Sequence, residues 1–167
     1  KQNTEQHIAR TLQQIGIKYD LLHSPQSFDE IEAYQALIWK SGDALSQTVN
    51  QKQQLLLTKY LRQGGSVLIT GQDLAYWLQG TQFLTKILGA DFEQDHSSSL
   101  DLVYKNFKLQ LYDKTSTENQ LFVDTLRPVQ NDSKCYLNYS NGLCAGVLRY
   151  HPKGKSIILG LNLESLP

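Results

Sequence analysis

The sequence predicts an α/β fold, a three-layer sandwich with a mostly parallel sheet and an antiparallel β extension in the C-terminal half. Two observations predict it. The first half alternates helical and strand-like segments, which is the order of a parallel sheet with crossover helices. After Gly89, apolar residues alternate with polar ones between short turns, as in antiparallel hairpins. A length of 167 residues is typical of one domain, so we expect a single domain over 1–167.

The elements follow from the spacing of the apolar residues. Apolar positions three and four apart predict helices, and short apolar runs bounded by glycine predict buried strands. In the first half these rules predict helices 4–15, 50–63, 74–78 and 82–88, and strands 17–22, 34–39 and 66–70. We expect strands near 18–22, 36–40 and 66–70 to be parallel neighbours in one sheet. In the second half the predicted strands are 100–104, 107–112, 143–150 and 156–161.

Composition excludes several classes of function. Lys+Arg and Asp+Glu both number 16, so the charge balance does not indicate nucleic-acid binding. The longest apolar runs are only a few residues, which predicts no membrane span. The cysteines and histidines lack metal-ligand spacing, and we expect no metal and no cofactor. The chain contains no methionine, and we therefore expect it to be a processed form or an excerpt of a longer protein.

The segment from Gly64 to Leu74 carries the most information about function. It has the pattern of a turn, a buried strand, a second sharp turn and the start of a helix. In α/β proteins such a second turn presents reactive or ligand-binding residues. Gln72 and Asp73 stand there, so no Ser, Cys or Thr nucleophile does. Because the chain reverses within about two residues, we expect positive φ or strain at Gly71 or Gln72, with the Gln72 side chain directed into the crevice.

Four stretches that follow the first helix resemble a known family. They are Gly-Ile-Lys-Tyr-Asp at 16–20, Tyr-Gln-Ala-Leu-Ile-Trp-Lys-Ser-Gly-Asp at 34–43, Tyr-Leu-Arg-Gln-Gly-Gly-Ser-Val-Leu-Ile-Thr-Gly-Gln-Asp at 60–73, and Phe-Leu-Thr-Lys-Ile-Leu-Gly-Ala at 83–90. Their order resembles the class I glutamine amidotransferase-like domains, which are flavodoxin-like and are attached to secreted bacterial peptidases and cell-envelope proteins. The resemblance covers roughly residues 5–92 and returns at 154–164.

The resemblance implies a fold without its usual activity. Active members of the family use a Cys-His-Glu triad. By position, Gln72 replaces the cysteine and Asn162 the histidine, and only the acid, Glu164, is present. Gln cannot act as a nucleophile and Asn cannot act as a general base, so we expect no catalytic residues. The implied function is a non-catalytic module for binding or assembly within a larger exported or envelope protein, in an extracytoplasmic location.

Polar and aromatic residues near predicted strand ends are the candidate ligand contacts. In an open α/β sheet such residues converge on a crevice that could take a carbohydrate or a peptide, and the other expected partners are domains of the parent chain or another protein. Alternatively, the acids only cap helices and the aromatics only pack. A hydrolase or amidase with a non-standard site near Asp73, His96 and Glu164 is the enzyme alternative. The candidates are Asp43, Gln72, Asp73, Tyr76, Trp77, Asn162 and Glu164.

Cys135 and Cys144 flank a predicted turn at 138–141. A turn there would place them opposite one another, within disulfide range. If Asn141-Gly142 forms the turn instead, Cys144 pairs with Tyr139 and the two cysteines are too far apart. In a cytosolic parent both thiols would stay reduced. The exported parent that the resemblance implies favours the disulfide.

Overall fold

The computed structural model of the protein describes residues 4–41, 49–96, 101–109 and 123–163. Within these ranges no helix has the length and apolar character needed to cross a membrane. The helices are α1 (Thr4–Gln14), α2 (Gln51–Gln63), α3 (Leu74–Leu78) and α4 (Phe83–Leu88), the last of π type. The strands are β1 (Ala36–Lys40), β2 (Ser66–Thr70), β3 (Ala90–His96), β4 (Leu102–Tyr104), β5 (Phe107–Leu109), β6 (Val123–Pro128), β7 (Ser133–Tyr139), β8 (Cys144–Tyr150) and β9 (Lys155–Leu159).

The main sheet is mixed, which corrects the predicted fold class. Its seven strands have the order β1-β2-β9-β8-β7-β4-β5, and the sheet is curled. Among the strands described, the β1–β2 and β2–β9 pairs are parallel, and the other pairs of this sheet are antiparallel. The prediction of a flavodoxin-like three-layer sandwich with a mostly parallel sheet is therefore wrong. Short turns in the C-terminal half return the chain to the same sheet as hairpins, and strand content exceeds helix content.

The predicted first strand at 17–22 is also absent from the described chain, because that segment has no regular structure. Its apolar side chains remain in solvent, with Ile17 50% and Leu21 58% exposed. An extended segment without a sheet partner or a buried face gains too little to offset the entropy of ordering. The predicted pairing of 36–40 with 66–70 is confirmed, since Ala36 lies opposite Ser66 and Lys40 opposite Thr70 in a parallel ladder.

Helix α2 is specified by its own sequence. Asn50 accepts from the Gln53 backbone N–H at 3.0 Å, and the Gln53 side chain accepts from the Asn50 backbone N–H at 2.9 Å, which is a capping box. Gly64, with φ of 109°, ends the helix in the left-handed conformation. The buried face packs on β2 through Leu56, Leu57, Tyr60 and Leu61. This packing fixes the position of β2, and with it the position of the turn that follows β2.

A second, two-stranded sheet pairs β3 with β6 in antiparallel orientation. Neither strand was predicted from the sequence. This sheet is joined to the end of β9, where the Asp124 N–H donates to the Gly160 carbonyl at 2.8 Å. A Cβ at Gly160 would collide with the Asp124 carbonyl, so only glycine allows this approach. The contact brings β6 beside the carboxyl ends of β2 and β9.

The β7–β8 hairpin contains a disulfide between Cys135 and Cys144, whose Cα atoms are 5.8 Å apart. The two residues are not direct partners, because Cys135 lies opposite Val147 and Cys144 opposite Asn138. The register of the ladder shifts between Cys135 and Asn138, and these irregularities shorten the diagonal distance between Cys135 and Cys144. The turn lies at 140–143, with Gly142 at φ of 87°, which is the later of the two turns considered from the sequence. The cysteines are bonded nevertheless, so the expectation that this turn would keep them too far apart is wrong.

Candidate functional site

The turn after β2 is the place where the sequence predicts a site, and it is tightly built. The Ser41 backbone N–H and hydroxyl both donate to the Thr70 carbonyl, at 3.0 and 3.1 Å. A Cβ at Gly71 would collide with the Ser41 hydroxyl, so a side chain there would force Ser41 to shift and disturb its hydrogen bond to Thr70. The turn is therefore fixed against the end of β1 before the chain enters α3.

Positive φ occurs one residue later than expected. Asp73 has φ of 55°, whereas Gly71 and Gln72 are not in the left-handed region. The expectation of positive φ at Gly71 or Gln72 is therefore wrong, because the positive φ lies at Asp73. Aspartate tolerates the left-handed conformation better than most residues. Asp73 stands at the N-cap of α3, yet its side chain makes no capping hydrogen bond, so its carboxylate does not have the helix-capping role that the sequence suggested as an alternative.

Gln72 and Asn162 are brought together by β2 and β9. The Gln72 backbone N–H donates to the Asn162 side-chain oxygen at 3.0 Å. Beside them, the Thr70 hydroxyl donates to the Leu161 carbonyl at 2.6 Å and accepts from the Leu163 N–H at 3.2 Å. Thr70 is fully buried and Asn162 is 6% exposed. In these contacts Asn162 ties two strand ends together.

Asp124, from β6, caps the helix that Asp73 leaves uncapped. Its Oδ2 atom accepts from the Ala75 N–H at 2.8 Å and from the Tyr76 N–H at 3.4 Å. The carboxylate thus satisfies first-turn donors of α3 from a strand 49 residues away along the chain. Asp124 is fully buried, and its Oδ1 atom has no hydrogen-bond partner among the described residues.

Three carboxylates converge at this point. Asp95 lies directly opposite Asp124 in the β3–β6 ladder, and Asp73 completes a cluster whose ligand atoms lie within 4.8 Å of one another. Burial raises the pKa of Asp124 to about 7. The neighbouring Asp73 and Asp95 add to this rise, and the two backbone hydrogen bonds oppose it in part. Burial and the neighbouring Asp95 also raise the pKa of Asp73. Oxygen donors of this kind are those that Ca²⁺ and Mg²⁺ prefer.

An aromatic surface adjoins the cluster. Tyr76 and Trp77 are each 45% exposed and meet edge to face, with ring centroids 5.6 Å apart. Tyr76 makes a second edge-to-face contact with Phe92 at 5.6 Å. We call Tyr76, Trp77 and Phe92 the aromatic patch. The Trp77 backbone N–H donates to the Asp73 carbonyl at 3.0 Å, which joins the patch to the acidic turn.

The structure places the other candidates differently. Asp43 and Glu164 lie outside the described residues, and of His96 only the backbone is described, at the end of β3. The described part of the site thus brings together Gln72 with Asn162, and Asp73 with Tyr76 and Trp77. Two surface cavities lie elsewhere. One, of about 320 Å³, is near the start of β2 and includes Tyr34 and Tyr60 in its lining, and the other borders residues 13–20.

Sequence reasoning missed Asp95 and Asp124. A signal for Asp124 was present, because it stands in the otherwise apolar run Leu121-Phe122-Val123-Asp124-Thr125-Leu126. A carboxylate in such a strand must be buried, and a buried carboxylate needs partners. No comparable signal marks Asp95, since it lies in a polar stretch and only the strand pairing brings it opposite Asp124.

Comparison with known proteins gives structural neighbours only. Neither family models nor curated proteins match the sequence. A β-galactosidase from Rahnella sp. R3 superposes with a TM-score of 0.67 and 12% identity, over 95% of this chain and 24% of that one. A GH42 β-galactosidase from G. stearothermophilus has a TM-score of 0.58 and 14% identity, over 82% of this chain and 20% of that one. A cytoplasmic protein from Salmonella typhimurium LT2 has a TM-score of 0.66 and 15% identity, over 97% and 77%.

These neighbours correct the family resemblance. They are β-galactosidases and a Salmonella protein, and they do not support a glutamine amidotransferase-like domain. At such low identity they establish a shared fold alone. The chain spans about a fifth to a quarter of the β-galactosidase chains. They also give no support to a secreted location.

Proposed function

We propose that this chain is a non-catalytic accessory module that binds or assembles with another protein surface. The observation that carries the proposal is the use of the turn after β2. Gln72 stands where a nucleophile would be presented, and its backbone N–H is already bound to Asn162. Buried polar groups around it likewise serve strand and helix ends, as Thr70 and Asp124 do. These contacts stabilise the fold and leave no activated nucleophile at the turn.

The aromatic patch is the proposed contact surface. Tyrosine and tryptophan are enriched at protein interfaces because they bury a large area at low entropic cost. Tyr76 and Trp77 are nearly half exposed and are held by backbone contacts of α3 and by each other. A module of this size within a larger chain is consistent with neighbours in which the shared fold is about a fifth of the length. The partner is then another domain or another protein, and a carbohydrate is the further candidate for stacking on these rings.

One observation favours the enzyme alternative. Asp73, Asp95 and Asp124 form a cluster in which burial raises one pKa to about 7, and paired carboxylates with separated pKa values are typical of general acid–base sites. Asp124, however, is fully buried and already caps α3. A hydrolase would therefore have to use the half-buried Asp73 or the exposed Asp95 on its substrate.

Activity assays separate these two functions. The purified chain is assayed with amide, ester and glycoside substrates beside its Asp73→Asn variant and an Asp101→Asn control. Asp101 is a matched comparison because it lies just before β4, away from the cluster, where it forms an ion pair with Lys108. We expect no turnover from any of the three proteins. Hydrolysis that Asp73→Asn abolishes and Asp101→Asn retains would establish the enzyme alternative.

Sedimentation velocity tests the contact surface. We compare the wild type with Trp77→Ala and with Phe107→Ala, a control in which an exposed aromatic residue of β5 is removed from outside the patch. We expect concentration-dependent association that Trp77→Ala weakens and Phe107→Ala leaves unchanged. A chain that stays monomeric at every concentration contradicts association of two copies through this patch, and tryptophan emission that does not respond to oligosaccharides contradicts carbohydrate binding there.

A further inference from the structure

The cluster of Asp73, Asp95 and Asp124 has the dimensions of a calcium site. Each residue offers one carboxylate oxygen, and these atoms lie within 4.8 Å of one another. Two oxygens that share a Ca²⁺ ion at 2.3–2.6 Å are at most about 5 Å apart, so the cluster meets this limit. Mg²⁺ binds at 2.0–2.1 Å, and its ligand oxygens lie within about 4.2 Å. The spacing lies within the range that Ca²⁺ accepts, and the flexible coordination of Ca²⁺ suits such a set of carboxylates better than the near-ideal octahedral geometry that Mg²⁺ demands.

A second observation points to a ligand at this place. Asp124 is fully buried, and its Oδ1 atom has no hydrogen-bond partner among the described residues. Its Oδ2 atom is directed at the Ala75 and Tyr76 N–H groups, so Oδ1 is the atom left for another partner. Because Asp95 lies directly opposite Asp124 in the ladder, the two side chains project from the same face. A buried carboxylate oxygen without a partner is costly, and coordination of a cation removes that cost.

The backbone of Asp124 is held in place independently of any ligand. Its N–H donates to the Gly160 carbonyl at 2.8 Å, and its carbonyl accepts from the Tyr139 hydroxyl at 3.0 Å. The side chain is held separately, because rotation of the carboxylate would break the hydrogen bonds that its Oδ2 atom accepts from the Ala75 and Tyr76 N–H groups. The oxygen is thus preorganised, as a metal ligand must be.

The charge pattern of β3 and β6 supports the same interpretation. At one end of the ladder Asp91 faces Arg127, and the two form an ion pair at 3.0 Å. At the other end Asp95 faces Asp124, and like charges directly opposite each other destabilise a strand pair. The ion pairs described in the structure use other acids, so no lysine or arginine in them neutralises this cluster.

We propose that Asp73, Asp95 and Asp124 bind one divalent cation that prefers oxygen ligands, with Ca²⁺ as its best fit. The ion would join the start of α3 to β3 and β6 and neutralise three converging carboxylates. The three ligands are separated by 22 and 29 positions in the sequence, which is why no metal-ligand spacing is recognisable there. This inference is independent of the accessory function proposed above.

Calorimetric titration and thermal unfolding test the proposal on the whole chain, stripped of metal with a chelator. We expect Ca²⁺ to bind with one-to-one stoichiometry and to raise the Tm in a concentration-dependent manner, since a ligand of the folded state stabilises it. Mg²⁺ at the same concentration should produce a smaller shift. Tb³⁺, a luminescent substitute for Ca²⁺, should emit on excitation of tryptophan, because Trp77 lies one helical turn from Asp73.

Two matched variants identify the ligands. Asp95→Asn removes an exposed carboxylate and should not disturb folding, yet we expect it to weaken Ca²⁺ binding at least about tenfold. Glu93→Gln removes the same charge from an exposed residue of the same strand outside the cluster, and it should bind Ca²⁺ like the wild type. Absence of a Ca²⁺-dependent Tm shift in the wild type overturns the proposal. Equal loss in both variants also overturns it, because it indicates attraction by net charge alone.

Discussion

Asp95 and Asp124 face each other across the antiparallel pair of β3 and β6, one exposed and the other fully buried. Two acids in register at this spacing repel each other when both are ionised. The buried acid is also the N-terminal cap of α3, through the Ala75 N–H at 2.8 Å. A single side chain therefore links the pairing of the small sheet, the start of a helix and the protonation state of the site.

Stability should depend on pH through Asp124 when divalent cations are removed. Burial raises its pKa from 3.8 to about 7 in the folded state. Between these values the folded state binds more protons than the unfolded state, so the free energy of unfolding falls as the pH rises. The shift of about three units sets an upper limit of about 4 kcal/mol on this contribution. Asp124→Asn should remove it and be at least as stable as the wild type near pH 8.

Urea unfolding of both proteins from about pH 4 to pH 8 measures this difference. The two proteins should approach each other at the acid end, where Asp124 is protonated in the folded state and about half protonated in the unfolded state. Asp124→Ala is the comparison that removes the cap altogether, and it should be less stable than Asp124→Asn by about 1–3 kcal/mol at every pH. Parallel pH profiles for wild type and Asp124→Asn would show that the buried carboxyl does not titrate in this range.

The Tyr139 hydroxyl should contribute measurably to stability. Tyr139 is 1% exposed, and its hydroxyl donates to the Asp124 carbonyl at 3.0 Å and lies 3.3 Å from the Gly160 carbonyl. Tyr139→Phe leaves a buried acceptor with one partner fewer, at a cost of about 1–2 kcal/mol. The control is Tyr136→Phe, whose hydroxyl contacts Tyr104 at the surface, and it should change stability by less than about 0.5 kcal/mol. Equal values in chemical denaturation would contradict the assigned role.

Gly160 should tolerate no side chain, for a steric reason. A Cβ there collides with the Asp124 carbonyl, which is backbone and cannot rotate away. Gly160→Ala should destabilise by at least about 1–3 kcal/mol and alter the pH dependence, because it displaces Asp124. Gly80→Ala is the comparison, since Gly80 has φ of 74° with nothing within 4 Å of a Cβ. It should lower stability by about 1–2 kcal/mol at every pH, and an identical pH profile for both variants would argue against the collision.

Local signals predicted the local structure. Helix α2 follows from Asn50, Gln53 and Gly64, which act through contacts within a few residues. Its packing then fixes β2 beside β1, and the parallel pairing of those strands was predicted correctly. The segment 17–22 has the composition of a strand but no buried face, and strand propensity alone did not order it.

Non-local pairing explains what the sequence did not reveal. The prediction of a mostly parallel sheet is wrong because β7, β8 and β9 are connected as antiparallel hairpins. Turn geometry and strand register determine this pairing, and the apolar content of the strands does not reveal it. The acidic cluster arises only when β3 pairs with β6. Gln72 and Asn162 meet because β2 and β9 are adjacent, and no spacing between them in the chain encodes that distance.

The disulfide should make a measurable contribution to the β7–β8 hairpin. Cys135 and Cys144 are nine positions apart, with Cα atoms 5.8 Å from each other. For a loop this short, the loop-closure model gives about 2–3 kcal/mol of stabilisation. Cys135→Ser should lose this amount relative to the oxidised wild type and should no longer respond to reductant. Unfolding with and without reductant measures the effect, and alkylation followed by mass spectrometry reports the thiols. Alkylation of both cysteines in the folded chain before any reductant is added would contradict the bond, because a disulfide-bonded cysteine has no thiol to alkylate. Cys144 is also largely buried, so it reacts only when it is both free and accessible.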